Sequence, residues 1–205
     1  NAAQIKYVPG IGVDTKKFYI SDFESRKKKE ELGIEPDSII ILSVGELNRN
    51  KNHEVIVQSI ARMHNPQIHY FIAGKGEREE YLKDLSKRLK VNLHLLGYRT
   101  DIVELLNVAD IFAFPSFREG LSVALMEAMS AGLPCVASKI RGNTDLIVNK
   151  KGGYLCRPDS VEEFYEGINS LMNREKREDY GRYNRQTVKK YDIQKIMSIM
   201  DQIYV

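Results

Sequence analysis

The strongest constraint on this chain is an alternation. Apolar runs at Ile39–Val44, Ile68–Ala73, Val91–Leu96, Ile111–Phe114, Cys135–Ala137 and Tyr154–Cys156 are separated by segments with helical spacing. The intervening segments predict helices over His53–His64, Glu77–Leu89 and Ile102–Asn107, one opening after Ser122, and a short one near Thr144–Val148. Val161–Asn173, Lys176–Tyr191 and Ile193–Tyr204 read as closing helices. Such repetition predicts an α/β fold, a Rossmann-like parallel sheet with helices on both faces. Ligands of such sheets sit beyond the carboxyl ends of the strands, so the loops that follow strands are where a site belongs.

Ahead of the alternation, Lys6–Phe18 reads as a strand running into a Pro/Gly-rich link. Ser21-Asp-Phe-Glu24 fits a capping box for a helix ending near Gly33. The Arg26–Glu31 charge run of that helix reads as a solvated face. A chain of 205 residues can bury a sizeable core. Its net charge of +3, lack of Trp and lack of interleaved basic and aromatic residues give no footprint for nucleic acid. The two cysteines, Cys135 and Cys156, fall in predicted strands and read as buried free thiols. With four scattered histidines they make a poor ligand set for a metal. No apolar run approaches the length of a membrane span.

The loop after Ile111–Phe114 carries the densest chemistry. Pro115 ends the strand, Ser122 is a plausible helix N-cap, and Gly132 with Pro134 marks the helix stop. The amides of Gly120, Leu121, Ser122 and Val123 are then donors at a helix start, a natural place for an anion. Glu119 in the turn and Glu127 in the helix, seven residues apart in between, offer carboxylates to hydroxyl groups. A sugar attached to a nucleoside diphosphate supplies both an anion and hydroxyls. The alternative is a capping Glu119 and a solvated Glu127.

The string Pro115-Ser-Phe-Arg-Glu119-Gly120, followed by Glu127-Ala-Met-Ser-Ala-Gly132-Leu-Pro134, resembles the signature of the retaining glycosyltransferases of family 4, glycosyl transferases group 1, which have the GT-B architecture. The resemblance runs from about Tyr7 to the end and covers the C-terminal, donor-binding half of such an enzyme. It implies a linker segment over 1–20, a nucleotide-sugar-binding domain over 21–190 and a crossover helix over 191–205, with the N-terminal acceptor domain absent. Gly12-Val13-Asp14 match the family's interdomain string, with Ile11 where asparagine is usual. Family members transfer a sugar from a nucleoside diphosphate sugar to a glycan or lipid-linked acceptor, often in bacterial surface polysaccharide synthesis. They characteristically use no metal or other cofactor. The resemblance implies a cytoplasmic hexosyltransferase, with peripheral contact at the inner face of the membrane left open, and a fragment inactive on its own.

Residue by residue, the resemblance implies that Lys51 clamps the donor diphosphate, Glu119 orients the sugar, Glu127 takes the ribose, and the amides of Gly120, Leu121 and Ser122 share the phosphate charge. The family's clamp arginine falls on Glu46, a charge reversal, and Arg49 in the same loop is the candidate replacement. Gly97, Tyr98 and Arg99 fall where the family's loop lies beside the nucleobase. Gly74-Lys-Gly76 and Gly153–Asp159 match structural turns, and Asn143 reads as the N-cap of a short helix. Two rivals remain. One is a related GT-B enzyme of another reaction, such as a sugar phosphorylase or an epimerase; a phosphorylase would carry a pyridoxal phosphate lysine motif, which is not seen. A non-catalytic nucleotide- or glycan-binding regulator on a degenerate domain is kept alive by Glu46.

Overall fold

The computed structural model describes residues 10–19 and 21–204; the strand expected at the start of Lys6–Phe18 lies largely outside them. Six strands form one parallel sheet: β1 Ile39–Val44, β2 Ile68–Ala73, β3 Asn92–Gly97, β4 Ile111–Phe114, β5 Cys135–Ser138 and β6 Gly153–Cys156. Their spatial order is β3-β2-β1-β4-β5-β6. The order reverses direction between β1 and β4, and the crevice at such a switch point is where doubly wound sheets bind ligands.

Successive residues of the inner strands serve opposite faces of the sheet, which explains why these strands are largely apolar. Ile40, Leu42, Phe71, Phe112 and Cys135 pack on one face, and Ile41, Tyr70, Ile72, Ile111 and Val136 on the other. The first face is covered by α4 Ile102–Val108 and α5 Val123–Ala131, with α1 Asp22–Glu31 packed on α4. The second is covered by α2 His53–Ala61, α3 Glu79–Leu89 and α7 Val161–Ser170. Cys135 and Cys156 are buried on opposite faces as free thiols. Burial pushes the Cys156 thiol up to about 12 and raises that of Cys135 as well, so both stay protonated.

Helix ends follow the expected chemistry where side chains cap them. Ser21 and Glu24 form the capping box of α1, Ser122 caps α5, and Gly132 ends α5 at φ 81°. Elsewhere the expected bounds need correction. The helix expected near Thr144–Val148 is α6 Arg141–Thr144, which begins earlier and has Ile140 at its N-cap. Asn143 is therefore not a cap: it is buried inside α6, and its Nδ2 donates to the Ser138 carbonyl at 2.9 Å. The Val161–Asn173 segment stops at Ser170, because Asn173 caps α8 Arg174–Thr187 instead. The Lys176–Tyr191 segment is α8 followed by a 3-10 turn, Val188–Tyr191. Helix α9, Ile193–Tyr204, closes the chain as expected.

The link at 10–19 is fastened to this end of the chain. Val13 N donates to Tyr191 O at 2.9 Å, Ile193 N donates back to Val13 O at 2.9 Å, and Thr15 Oγ1 donates to Asp192.

Candidate functional site

The loops after β1 and β4 meet across the switch point. Phe117 N donates to Asn50 O at 2.8 Å, and Asn50 Nδ2 donates to Arg118 O at 3.0 Å. Asn52 reaches further: its Nδ2 donates to Pro115 O at 3.2 Å and to Pro158 O at 2.7 Å. Asn52 is buried and adopts φ 53° and ψ 34°, a left-handed conformation that asparagine tolerates better than most residues. One side chain thus ties together the loops after β1, β4 and β6. Neither Asn50 nor Asn52 was singled out from the sequence; an asparagine directly before a helix start was the available signal, and it reads as an ordinary cap.

A graded response is expected at this position. Asn52→Gly keeps the backbone relaxed but removes both bonds, costing about 1–2 kcal/mol; Asn52→Ala adds left-handed strain and costs about 2–4 kcal/mol. Urea unfolding of the two variants measures the difference, and equal losses would show that strain plays no part.

Held by these bonds, Lys51 and Glu119 face each other. Lys51 Nζ lies 2.7 Å from Glu119 Oε1, with the side chains 21% and 17% exposed. The lysine stem passes over Gly45, whose missing Cβ would lie 3.2 Å from Lys51 Cε, and its ammonium sits 5.2 Å from the centre of the Phe114 ring. The pair is half-buried rather than sealed, so an incoming anion can compete for the lysine. Behind Glu119, Gly142 of α6 packs onto the loop: a Cβ there would lie 2.0 Å from Gly120 O.

Helix α5 starts at the same loop. The Ser122 hydroxyl accepts from Leu125 N at 3.3 Å. The remaining first-turn amides, those of Val123 and Ala124, have no acceptor within the helix and lie at its positive end. Gly120 has ordinary φ and open space where a side chain would stand. Leu121 packs under Gly10 of the link. Glu127 sits in the second turn, half-buried; burial raises its pKa, and Lys17 of the link offsets part of that rise.

The other expected residues fall unevenly around this centre. Arg49 is exposed and has no ion pair or hydrogen bond among the described residues. Glu46 is exposed and its carboxylate accepts from Asn48 Nδ2 at 2.8 Å. Gly97 ends β3 at φ 67°, and Tyr98 is 76% exposed. Arg99 is not open to a ligand. Its Nε donates to Asp101 Oδ1 at 2.7 Å, its terminal nitrogen also binds Asp101, and Lys28 and Glu31 of α1 complete the cluster. That cluster drives the Asp101 carboxyl far below the usual carboxylate range.

Beneath the β1 loop lies a buried chain that the sequence did not reveal. His53 Nε2–H donates to Glu46 O at 3.1 Å, because a carbonyl can only accept, and Nδ1 lies 3.0 Å from Tyr70 Oη. Tyr70 Oη is 2.9 Å from Ser43 Oγ, which donates to Ala113 O at 2.6 Å. Burial pushes the His53 pKa down to about 4, despite the favourable Glu46 contact, with Lys51 adding to the fall. His69 and His94, 3.0 Å apart on β2 and β3, are lowered too, mainly by desolvation. A depressed histidine favours the folded state while neutral. As pH drops below about 6.5, the unfolded chain takes up protons that the folded chain refuses, so stability is lost towards pH 4. His53 alone accounts for roughly 3 kcal/mol of that loss at order-of-magnitude precision. His53→Gln should flatten the pH dependence of urea unfolding between pH 7 and 4.5; an unchanged slope would show that His53 is not its source.

The family model described as glycosyl transferases group 1 matches residues 24–187. The chain belongs to this family. The UDP-Gal:alpha-D-GlcNAc-diphosphoundecaprenol alpha-1,3-galactosyltransferase of Escherichia coli is 34% identical over 176 residues, a match covering 82% of this chain and 44% of that enzyme. HepE of Anabaena, solved with UDP-glucose, superposes with a TM-score of 0.88 at 23% identity, covering 94% of this chain and 56% of that one. The C-terminal domain of the group 1 protein LpcC of Francisella tularensis matches over its whole length, with a TM-score of 0.78 at 21% identity and 89% of this chain covered. The chain spans about half the length of the curated relatives it matches. The solved structures bear out the GT-B half expected from the signature. Among the described residues no helix is long and apolar enough to cross a membrane.

Proposed function

We propose that this group 1 domain binds a nucleoside diphosphate sugar and belongs to an enzyme that transfers the sugar to a glycan or lipid-linked acceptor with retention at the anomeric carbon. The observation that carries this reading is the Lys51–Glu119 contact at the switch point, beside the start of α5. An arriving diphosphate exchanges with Glu119 for the Lys51 ammonium. The exchange frees the carboxylate to accept from sugar hydroxyls. Glu127 takes the ribose hydroxyls, one turn farther along α5.

In the transfer, the bond from the anomeric carbon to the diphosphate breaks and its electron pair leaves with the diphosphate. The acceptor oxygen bonds to that carbon on the departing group's face, and its proton passes to the departing diphosphate. Lys51 and the α5 amides stabilise the charge growing on the leaving group. Arg49, unpaired in the same loop, supplies the second cation that Glu46 withholds. This positive set stands where other enzymes use a metal ion, and no metal requirement is expected. The relatives' names favour a lipid-linked acceptor and a place in surface polysaccharide synthesis: the E. coli enzyme is named for a diphosphoundecaprenol acceptor. The chain spans about half the length of such relatives, so we assign the acceptor side to the other half of such an enzyme, and a polypeptide limited to these 205 residues should transfer no sugar.

A thermal-shift panel with UDP, GDP, ADP and their sugars tests the reading. Stabilisation that grows with ligand concentration supports it, since a ligand bound only to the folded state stabilises by mass action. A chain indifferent to every nucleotide would instead be a degenerate domain.

A further inference from the structure

The donor reading leaves the nucleobase without a recognising side chain, because Arg99 is spent on Asp101 and Glu31. An unspent cation stands beside it. Lys75 occupies the middle of the Gly74-Lys75-Gly76 turn at the carboxyl end of β2, a turn that sequence alone marks as structural. Both glycines do have structural reasons: a Cβ on Gly74 would lie 1.8 Å from Gly45 O, and one on Gly76 would lie 2.4 Å from Leu47 O. Nothing comparable explains the lysine. Its carbonyl accepts from Leu47 N at 3.0 Å, but its side chain is exposed and, among the described residues, has no hydrogen bond or ion pair.

Its direction is set by Gly97. Gly74 and Gly97 form a bridge between the two loops, and a Cβ on Gly97 would lie 3.5 Å from Lys75 Cε. The lysine stem therefore lies over Gly97, where the β3–α4 loop begins. The next residue there, Tyr98, is 76% exposed. The loop itself is held in place by the Arg99–Asp101 cluster on α1. An exposed aromatic residue directly after the glycine that this lysine covers, on a fastened loop, can offer a face for stacking a planar base, with the lysine as donor to its edge. An ammonium has donors only, so it selects an edge that presents an acceptor. Uracil and guanine present carbonyl oxygens there, whereas adenine presents an amino group at the corresponding position.

We propose that Lys75 sets donor specificity, its ammonium donating to a carbonyl oxygen of a uracil or guanine base stacked on Tyr98. This rests on the donor-site reading above. The test is a set of dissociation constants for UDP, GDP and ADP, measured by calorimetry on this chain and on Lys75→Met and Tyr98→Ala. The wild-type chain should prefer UDP or GDP to ADP by about tenfold or more, the scale of one charged hydrogen bond. Lys75→Met should erase most of that preference while leaving ADP affinity unchanged, and Tyr98→Ala should weaken all three. A wild-type preference for ADP overturns the proposal. So does a Lys75→Met variant that keeps its selectivity or weakens all three equally, while the donor site itself would stand. If no nucleotide binds the wild-type chain, the donor-site reading falls together with the proposal.

Discussion

Replacing Lys51 with alanine should weaken nucleoside diphosphate binding by about ten- to a hundredfold, the loss of one charge-assisted hydrogen bond in a partly shielded site. Calorimetry on the chain and the variant reads this directly. The expected stability change is smaller. The Lys51–Glu119 pair is about a fifth exposed on each side, so water can reach the orphaned carboxylate, and a loss of about 1 kcal/mol is expected. Binding and folding therefore separate at this residue. Lys51→Arg keeps the charge but must thread a broader head past Gly45, whose Cβ position is only 3.2 Å from the lysine stem, so it should rescue in part. Glu119→Gln distinguishes the two roles in the pair. It removes the carboxylate that competes for Lys51, so affinity for the bare diphosphate should hold or rise, while the advantage of the sugar nucleotide over the bare nucleotide shrinks. The effect of Lys51→Ala should also fade at high salt, because the ammonium is open to screening. Diphosphate binding that survives Lys51→Ala unchanged would remove this lysine from the site.

The inner strands were legible because they are buried on both faces, which favours apolar runs such as Ile111–Phe114; Ser43 in β1 is the polar exception, satisfied by Tyr70 and Ala113 O. Helix ends were legible where the local string is distinctive, as at Ser21, Ser122 and Gly132. The starts of α2 and α4 were also placed correctly, although neither has a side-chain cap. The expected starts slipped at α3, α6 and α8, the last despite the Asn173 cap. The candidate site divides between local and remote signals. Glu119, Gly120 and Glu127 lie in one local string. The Lys51–Glu119 contact joins residues 68 apart in sequence, and only the sheet order brings them together. Arg99 is bound mainly by Asp101, only two residues on; what lay out of reach of the sequence is that Lys28 and Glu31 of α1 join that pair. The same limit hid Asn52, whose role depends on carbonyls of two distant loops.

Gly142→Ala should remove donor binding without touching any donor-facing side chain. Gly142 has no unusual φ, so alanine fits its backbone; the obstacle is space alone. The new methyl would lie 2.0 Å from Gly120 O, 2.7 Å from Gly120 C and 3.1 Å from Glu119 O, all backbone atoms that cannot rotate away. Either α6 or the Glu119 loop must shift by about 1 Å or more to restore normal contact. Helix α6 is the firmer of the two. Asn143 is buried and bonded to Ser138 O, Leu146 and Ile147 are buried just beyond it, and Tyr191 Oη donates to Asp145 O at 3.0 Å. The loop should therefore yield, carrying Glu119 away from Lys51 and tilting the approach to α5. Overpacking of this kind costs about 1–3 kcal/mol in stability, which leaves a folded domain. A displacement of about 1 Å in a positioned site costs on the order of a hundredfold in function. Gly120→Ala is the control, since nothing lies within 4 Å of its Cβ position and its melting temperature should match the parent. Any affinity lost in Gly120→Ala then reports direct contact with the ligand, whereas the loss in Gly142→Ala reports the loop. A Gly142→Ala variant with normal donor affinity and normal stability would show that α6 moves instead, and that the Glu119 loop is held by Asn50 and Asn52 alone.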